Sequence, residues 1–156
     1  MKTLIISDSH GSSGLLKDLF KRMDKEGRPD ALIFCGDGLQ DVLPHKDRFP
    51  LFFPVRGNCD FGSYPAIPCE RTERLQGIDI LIAHGNSYHV KRGPETLCWR
   101  ALEAQAGVCC FGHTHHQMGE WLHGVLMVNP GALSFGEYAL LRIDEGGNPG
   151  LDLCRL

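Results

Sequence analysis

The chain alternates between short, almost unbroken apolar runs and polar loops rich in glycine, aspartate and histidine. Residues 3–7, 31–35, 51–55, 78–83 and 108–111 are each too short for a helix of useful length. They read as strands buried on both faces. Between the first two runs, Leu15, Leu16, Leu19, Phe20 and Met23 recur at spacings of three and four, the period of a helix with one buried face. Ser12 or Ser13 is placed to cap its start, and Gly27 with Pro29 to end it. Strand, helix and strand then form a right-handed crossover. Residues 39–50 are polar, with room for one short helical turn. A second helix is expected from Pro94 through Gln105, with Leu97, Ala101 and Leu102 inward and Gly107 as its stop.

Later in the chain the pattern changes to paired strands around tight turns. Residues 70–75 and 78–83 flank Gln76-Gly77, and residues 118–122 and 125–129 flank His123-Gly124. Residues 138–144 and 151–156 pair through Glu145-Gly146-Gly147. Crossovers followed by hairpins predict an α/β protein with mixed sheets. Residues 61–68 and 87–92 are expected to form mobile loops.

Composition narrows the function classes. At 156 residues, one domain spanning 1–156 is expected, with a single large core. A net charge of -3 gives no basic footprint for a nucleic-acid backbone, and no apolar run is long enough to span a membrane. The seven cysteines show no C-x-x-C spacing, and Cys35, Cys109 and Cys110 lie within apolar runs. Most are expected to be reduced core thiols in a cytoplasmic protein. The first residues lack a signal-peptide core.

The chemistry lies where the apolar runs stop. Asp8 and His10 follow the first run, Asp37 the second, Asn58 the third, His84 the fourth, and His113 and His115 the fifth. Each alone is more often a turn or surface residue; together, at five strand ends, they point to one cleft carrying a binuclear metal site. The inventory divides into Asp8, His10 and His115 for one ion and Asn58, His84 and His113 for the other, with Asp37 between them. Two carboxylates facing two divalent cations leave a formal charge of about +2, which attracts an anionic substrate. Mixed nitrogen and oxygen donors suit manganese, iron or zinc better than calcium. Two ions about 3.5–4 Å apart can activate a bridging hydroxide and clamp phosphoryl oxygens, so metal-assisted phosphoester hydrolysis is the expected reaction.

Asp8-Ser9-His10, Gly36-Asp37, Gly57-Asn58-Cys59-Asp60, Ala83-His84-Gly85 and Gly112-His113-Thr114-His115 resemble, in order, the motifs of the calcineurin-like metallophosphoesterases. The short length, the G-N-C-D form and Asn129-Pro130-Gly131 are most similar to the small YfcE-like phosphodiesterase branch. The resemblance implies a four-layer α/β/β/α sandwich with two mixed sheets and assigns metal-ligand roles to the same seven residues. It also implies a phosphodiesterase acting on a small phosphorylated substrate, with manganese as the leading metal and iron, zinc or nickel as alternatives.

The resemblance departs at Cys59, where many superfamily members carry a histidine acting as general acid. Cys59 stands as a candidate acid and equally as a small packing residue. Arg56 is a candidate phosphate contact, or a structural partner of Asp60 or another carboxylate. Asp60 is also placed to orient a ligating histidine. The backbone of Asn129-Pro130-Gly131 is expected to position the His113–His115 loop. Trp99 and Trp121 read as packing or interface residues, and a homo-oligomer stays open. The rival function is a non-catalytic, metal-stabilised interaction module, since this fold also serves as a protein-binding subunit of the retromer coat.

Overall fold

The computed structural model describes residues 1–60, 62 and 64–156. Among the described residues, ten strands form two sheets of five. In chain order the elements are β1 (Lys2–Ile6), α1 (Ser13–Glu26), β2 (Ala31–Phe34), α2 (Leu39–Val42), β3 (Leu51–Pro54), β4 (Glu70–Leu75), β5 (Ile78–Ala83), α3 (Glu95–Glu103), β6 (Val108–Cys110), β7 (Gln117–Leu122), β8 (Val125–Pro130), β9 (Glu137–Ile143) and β10 (Pro149–Arg155). The first sheet runs β10-β9-β1-β2-β3 and the second β4-β5-β6-β8-β7. β1, β2 and β3 are parallel, as are β5, β6 and β8, while β4, β7, β9 and β10 pair antiparallel.

The strand period of two sorts each buried run between two cores. In β1, Leu4 and Ile6 pack with Leu16, Leu19, Phe20 and Met23 of α1, whereas Ile5 faces the second sheet. In β5, Ile80 and Ile82 face the first sheet, while Leu81 and Ala83 pack with Leu97, Cys98 and Ala101 of α3. The layers are therefore α1, first sheet, second sheet and α3, the four-layer sandwich that the resemblance implies. Continuous apolar runs suit the central strands because both of their faces are covered.

Ser12 holds the N-cap position of α1, but its hydroxyl makes no capping bond. Its carbonyl instead accepts the Leu16 N–H at 3.1 Å, so backbone geometry starts the helix. Residues 39–50 hold more helix than expected: α2 is followed by a 3-10 segment, Leu43–Arg48. The expected loop at 87–92 is wound into two 3-10 turns, Asn86–Tyr88 and Val90–Arg92. Of the 61–68 loop, Phe61 and Ser63 lie outside the described residues. All seven cysteines are free. Among the described residues no helix is long and apolar enough to cross a membrane.

Candidate metal centre

The loops after β1, β2, β3, β5 and β6 meet above the junction of the two sheets. The Asp8 N–H donates to the Gly36 carbonyl at 2.9 Å, and the Gly112 N–H to the His84 carbonyl at 3.0 Å. The His113 N–H crosses between the sheets to Asp8 Oδ2 at 3.0 Å. Asp8 is fully buried, and its Oδ2 also accepts the Ser7 hydroxyl at 2.5 Å. These bonds occupy Oδ2 and leave Oδ1 facing His115 Nε2 at 3.0 Å and His10 Nε2 at 3.5 Å.

Asp37 occupies the middle. Its Oδ1 accepts the Cys59 N–H at 2.7 Å, while Oδ2 lies 3.2 Å from His84 Nε2 and 4.0 Å from His10 Nε2. His84 Nδ1 sits 2.7 Å from the Cys35 carbonyl. A carbonyl only accepts, so Nδ1 carries a proton, and Nε2, the nitrogen left to face Asp37, becomes a lone pair available to a cation when the ring is neutral. His113 packs edge-on against His84, and His10 Nε2 lies 3.3 Å from His115 Nε2. Ligand-capable atoms thus gather into Asp8, His10 and His115, into Asp37, His84 and His113, and into His10, Asp37 and Cys59.

Two observations bear on whether these residues suit metal ions. First, among the described residues, Asp8 Oδ1, Asn58 Oδ1 and His84 Nε2 are buried and make no hydrogen bond, and Asp8 Oδ1 and His84 Nε2 instead face other candidate ligands, His115 Nε2 at 3.0 Å and Asp37 Oδ2 at 3.2 Å. A buried polar atom left without a partner costs about 1–3 kcal/mol, which a coordinated cation would remove. Second, Asp8, His10, Asp37, His113 and His115 all have φ between 43° and 67°. Left-handed backbone is uncommon outside glycine, and its concentration here marks strain held at a site of function. The donor set fits divalent ions.

Electrostatics agree with the geometry. Burial pushes the Asp37 carboxyl up, but the adjacent His84 imidazole and the Cys59 N–H outweigh it and hold the group at about 2. His84 is itself raised: burial opposes its charge, yet Asp37 and Asp8 prevail. His113 is lowered by burial and by the charges of His84 and Lys91. Burial, followed by contact with Asp37, raises the Cys59 thiol.

The supporting residues differ from the sequence reading. Asp60 neither pairs with Arg56 nor orients a histidine among the described residues. Its Oδ2 accepts the N–H groups of Asp37 and Gly57 at 2.8 and 2.9 Å, and its Oδ1 those of Gly38 and Leu39, both at 2.9 Å. Four converging backbone N–H groups take both carboxylate oxygens in place of an imidazole N–H, so Asp60 clamps the Asp37 loop. Arg56 turns to Cys69, with Nη2 3.5 Å from Sγ. Asn129 positions the histidine loop through its side chain, not its backbone. Nδ2 donates to the Gly112 carbonyl at 2.9 Å and to Thr114 Oγ1 at 3.1 Å, and Oδ1 accepts the Gly131 N–H at 2.9 Å. Tight packing fixes the same loops: a Cβ at Gly57 would lie 2.0 Å from Asp37 Oδ1, and one at Gly112 2.6 Å from Asp8 Oδ2. Trp99 and Trp121 are exposed and remote from these contacts, Trp99 stacking on His123.

The calcineurin-like phosphoesterase superfamily domain matches residues 1–146. This chain belongs to the calcineurin-like phosphoesterase superfamily. The chain is 38% identical over 152 residues to a probable metallophosphoesterase of Bacillus subtilis, YsnB, covering 93% of this chain and 86% of that one. Among solved structures, a predicted phosphoesterase of Streptococcus pneumoniae superposes with a TM-score of 0.81 at 26% identity, covering 99% of this chain and 88% of the other. The calcineurin-like fold is shared with more distant proteins. An archaeal phosphodiesterase has a TM-score of 0.76 at 19% identity, covering 99% and 100% of the two chains. Vps29 from Entamoeba histolytica, complexed with zinc, has a TM-score of 0.75 at 18% identity, with 99% of each chain covered. Membership in the calcineurin-like superfamily supports metal-dependent phosphoesterase chemistry for this chain.

Proposed function

We propose that the chain, acting as one domain, is a cytoplasmic binuclear-metal phosphodiesterase that hydrolyses a small phosphorylated substrate. The observation that carries this reading is the set of buried atoms without hydrogen-bond partners among the described residues, Asp8 Oδ1, Asn58 Oδ1 and His84 Nε2, on loops that also hold Asp8, His10, Asp37, His113 and His115 in left-handed backbone. Asp8, His10 and His115 would hold one ion, Asn58, His84 and His113 the other, and Asp37 would lie between them. Manganese is the leading metal, with iron, zinc or nickel as alternatives. When bound there, two such cations would supply water activation and charge neutralisation for phosphoester hydrolysis.

The chain's own contribution is to hold that constellation still. The Cys35 carbonyl fixes the His84 tautomer, Asp60 fixes the Asp37 loop, and Asn129 fixes the His113–His115 loop. Fixed donors need no rearrangement as charge develops, which is how preorganisation lowers a barrier. The Cys59 thiol, raised by burial and by Asp37, keeps its proton at neutral pH and is available to a leaving group. Arg56, with Nε buried and without a partner among the described residues, lines the same recess as His84 and is a candidate phosphate contact. The diester preference is supported by likeness to the archaeal phosphodiesterase.

The test uses chelator-treated protein, bis(p-nitrophenyl) phosphate and p-nitrophenyl phosphate, before and after manganese is added, with elemental analysis of untreated protein. Metal-restored turnover favouring the diester is expected. Two bound metals per chain without turnover of either ester would favour the second reading, a metal-stabilised interaction module, which likeness to Vps29 supports.

A further inference from the structure

The Val90–Arg92 turn and the Thr114–Met118 segment enclose a cleft of about 610 Å³. Its floor is apolar, formed by Phe111 and Met118, and its rim carries Lys91, Arg92 and His116. No carboxylate lines it among the described residues, although the chain as a whole has a net charge of -3. Neither Lys91 nor Arg92 forms a salt bridge among the described residues, and both are exposed. The Glu95 carboxylate lies close to Gly93 at the margin of the cleft without reaching either cation.

This cleft shares a wall with the metal centre. Thr114 lines it and sits between His113 and His115, and the Thr114 hydroxyl oxygen accepts the His116 N–H at 3.2 Å. On the other side, Val90 packs against Gly85, the residue after His84. The volume suits a ring-sized group, and unpaired cations above an apolar floor suit an anion attached to such a ring.

We infer that this cleft binds the non-reacting arm of the substrate and that this arm is a ring carrying a second phosphate, held by Lys91 and Arg92. The inference rests on the phosphodiesterase reading for its location in the reaction, and on the cleft alone for binding. It makes the preferred substrate a phosphodiester with a further phosphate on its retained arm. Two such contacts at exposed cations are together worth about tenfold in kcat/KM.

The probes are the p-nitrophenyl ester of thymidine 5'-phosphate and its counterpart bearing an additional 3'-phosphate. Metal-loaded wild-type protein is expected to prefer the 3'-phosphorylated probe by about tenfold, and the Lys91→Ala/Arg92→Ala variant to lose most of that ratio. Calorimetry with thymidine 3',5'-bisphosphate on chelator-treated protein gives a second readout. Wild-type protein should bind, and Lys91→Glu/Arg92→Glu should not. Binding that disappears in that variant, with neither probe turned over under any metal, would remove the phosphodiesterase reading and retain the cleft. Turnover with a ratio near one in wild-type protein, or the same ratio in the alanine variant, would overturn the inference and retain the enzyme.

Discussion

Replacing Asp60 with asparagine tests whether one buried carboxylate organises the central loop. Each Asp60 oxygen accepts two backbone N–H groups, from Asp37 and Gly57 on one side and from Gly38 and Leu39 on the other. An amide offers only one oxygen. Whichever way it turns, two N–H groups face an NH2, so no rotamer retains all four bonds. At about 1.5–3 kcal/mol for each charge-assisted bond, the loss is about 3–6 kcal/mol. Asp41 provides the control: its Oδ2 alone accepts the Ser9 hydroxyl at 2.6 Å and the Gly11 N–H at 2.9 Å. An asparagine oxygen can take that position, and the expected loss is about 1 kcal/mol. Guanidinium unfolding of chelator-treated Asp60→Asn and Asp41→Asn gives both numbers, with unchanged m values confirming comparable unfolding. Manganese affinity should also fall in Asp60→Asn, by about 10–100-fold. A loss no larger for Asp60→Asn than for Asp41→Asn would refute the clamp.

The remaining predictions concern the site directly. His115→Ala and Asp37→Asn should abolish metal-restored hydrolysis while circular dichroism stays that of the wild type; turnover retained in either would exclude the proposed ligation. Adding manganese at 100 times its dissociation constant should stabilise chelated protein by about 2.7 kcal/mol per site, seen as a rise in Tm. Cys59→Ser should leave rates unchanged for phenolic leaving groups and slow alkyl esters, whereas equal rates on both would exclude the thiol as an acid. In chelated protein the Asp37–His84 pair gives a pH window. Asp37 is depressed to about 2, so its contribution is present above the unfolded value of about 3.9 and is lost as pH falls. His84 is raised, so its contribution is present below the unfolded value of about 6.5 and is lost as pH rises through the folded value. The stability difference between wild type and Asp37→Asn should therefore peak between about pH 4 and 6.5, and a difference flat from pH 4 to 9 would show no coupling.

Much of this protein is legible from local pattern. Continuous apolar runs identify the central strands because covered faces on both sides impose the same demand at every position. The β4–β5 and β7–β8 hairpins follow from Gln76-Gly77 and His123-Gly124, whose positive φ values suit tight turns. Asp8, His10, Asp37, Asn58, His84, His113 and His115 stand out because polar donors at the ends of buried runs have few other reasons to recur. The contacts of the supporting residues do not stand out in this way. The sequence marks Asp60 and Asn129 as supporting residues but not their partners, since the Asp60 carboxylate binds amides 21–23 residues away and the Asn129 amide reaches Gly112 across 17 residues. Sequence determined the elements and the candidate donors, because burial and turn geometry act over a few residues. Only the tertiary structure decided the strand order, the left-handed backbone that turns the donors inward, and the basic cleft beside them. Those features depend on long-range packing between the two sheets, whose partners are distant in sequence and adjacent only in the folded chain.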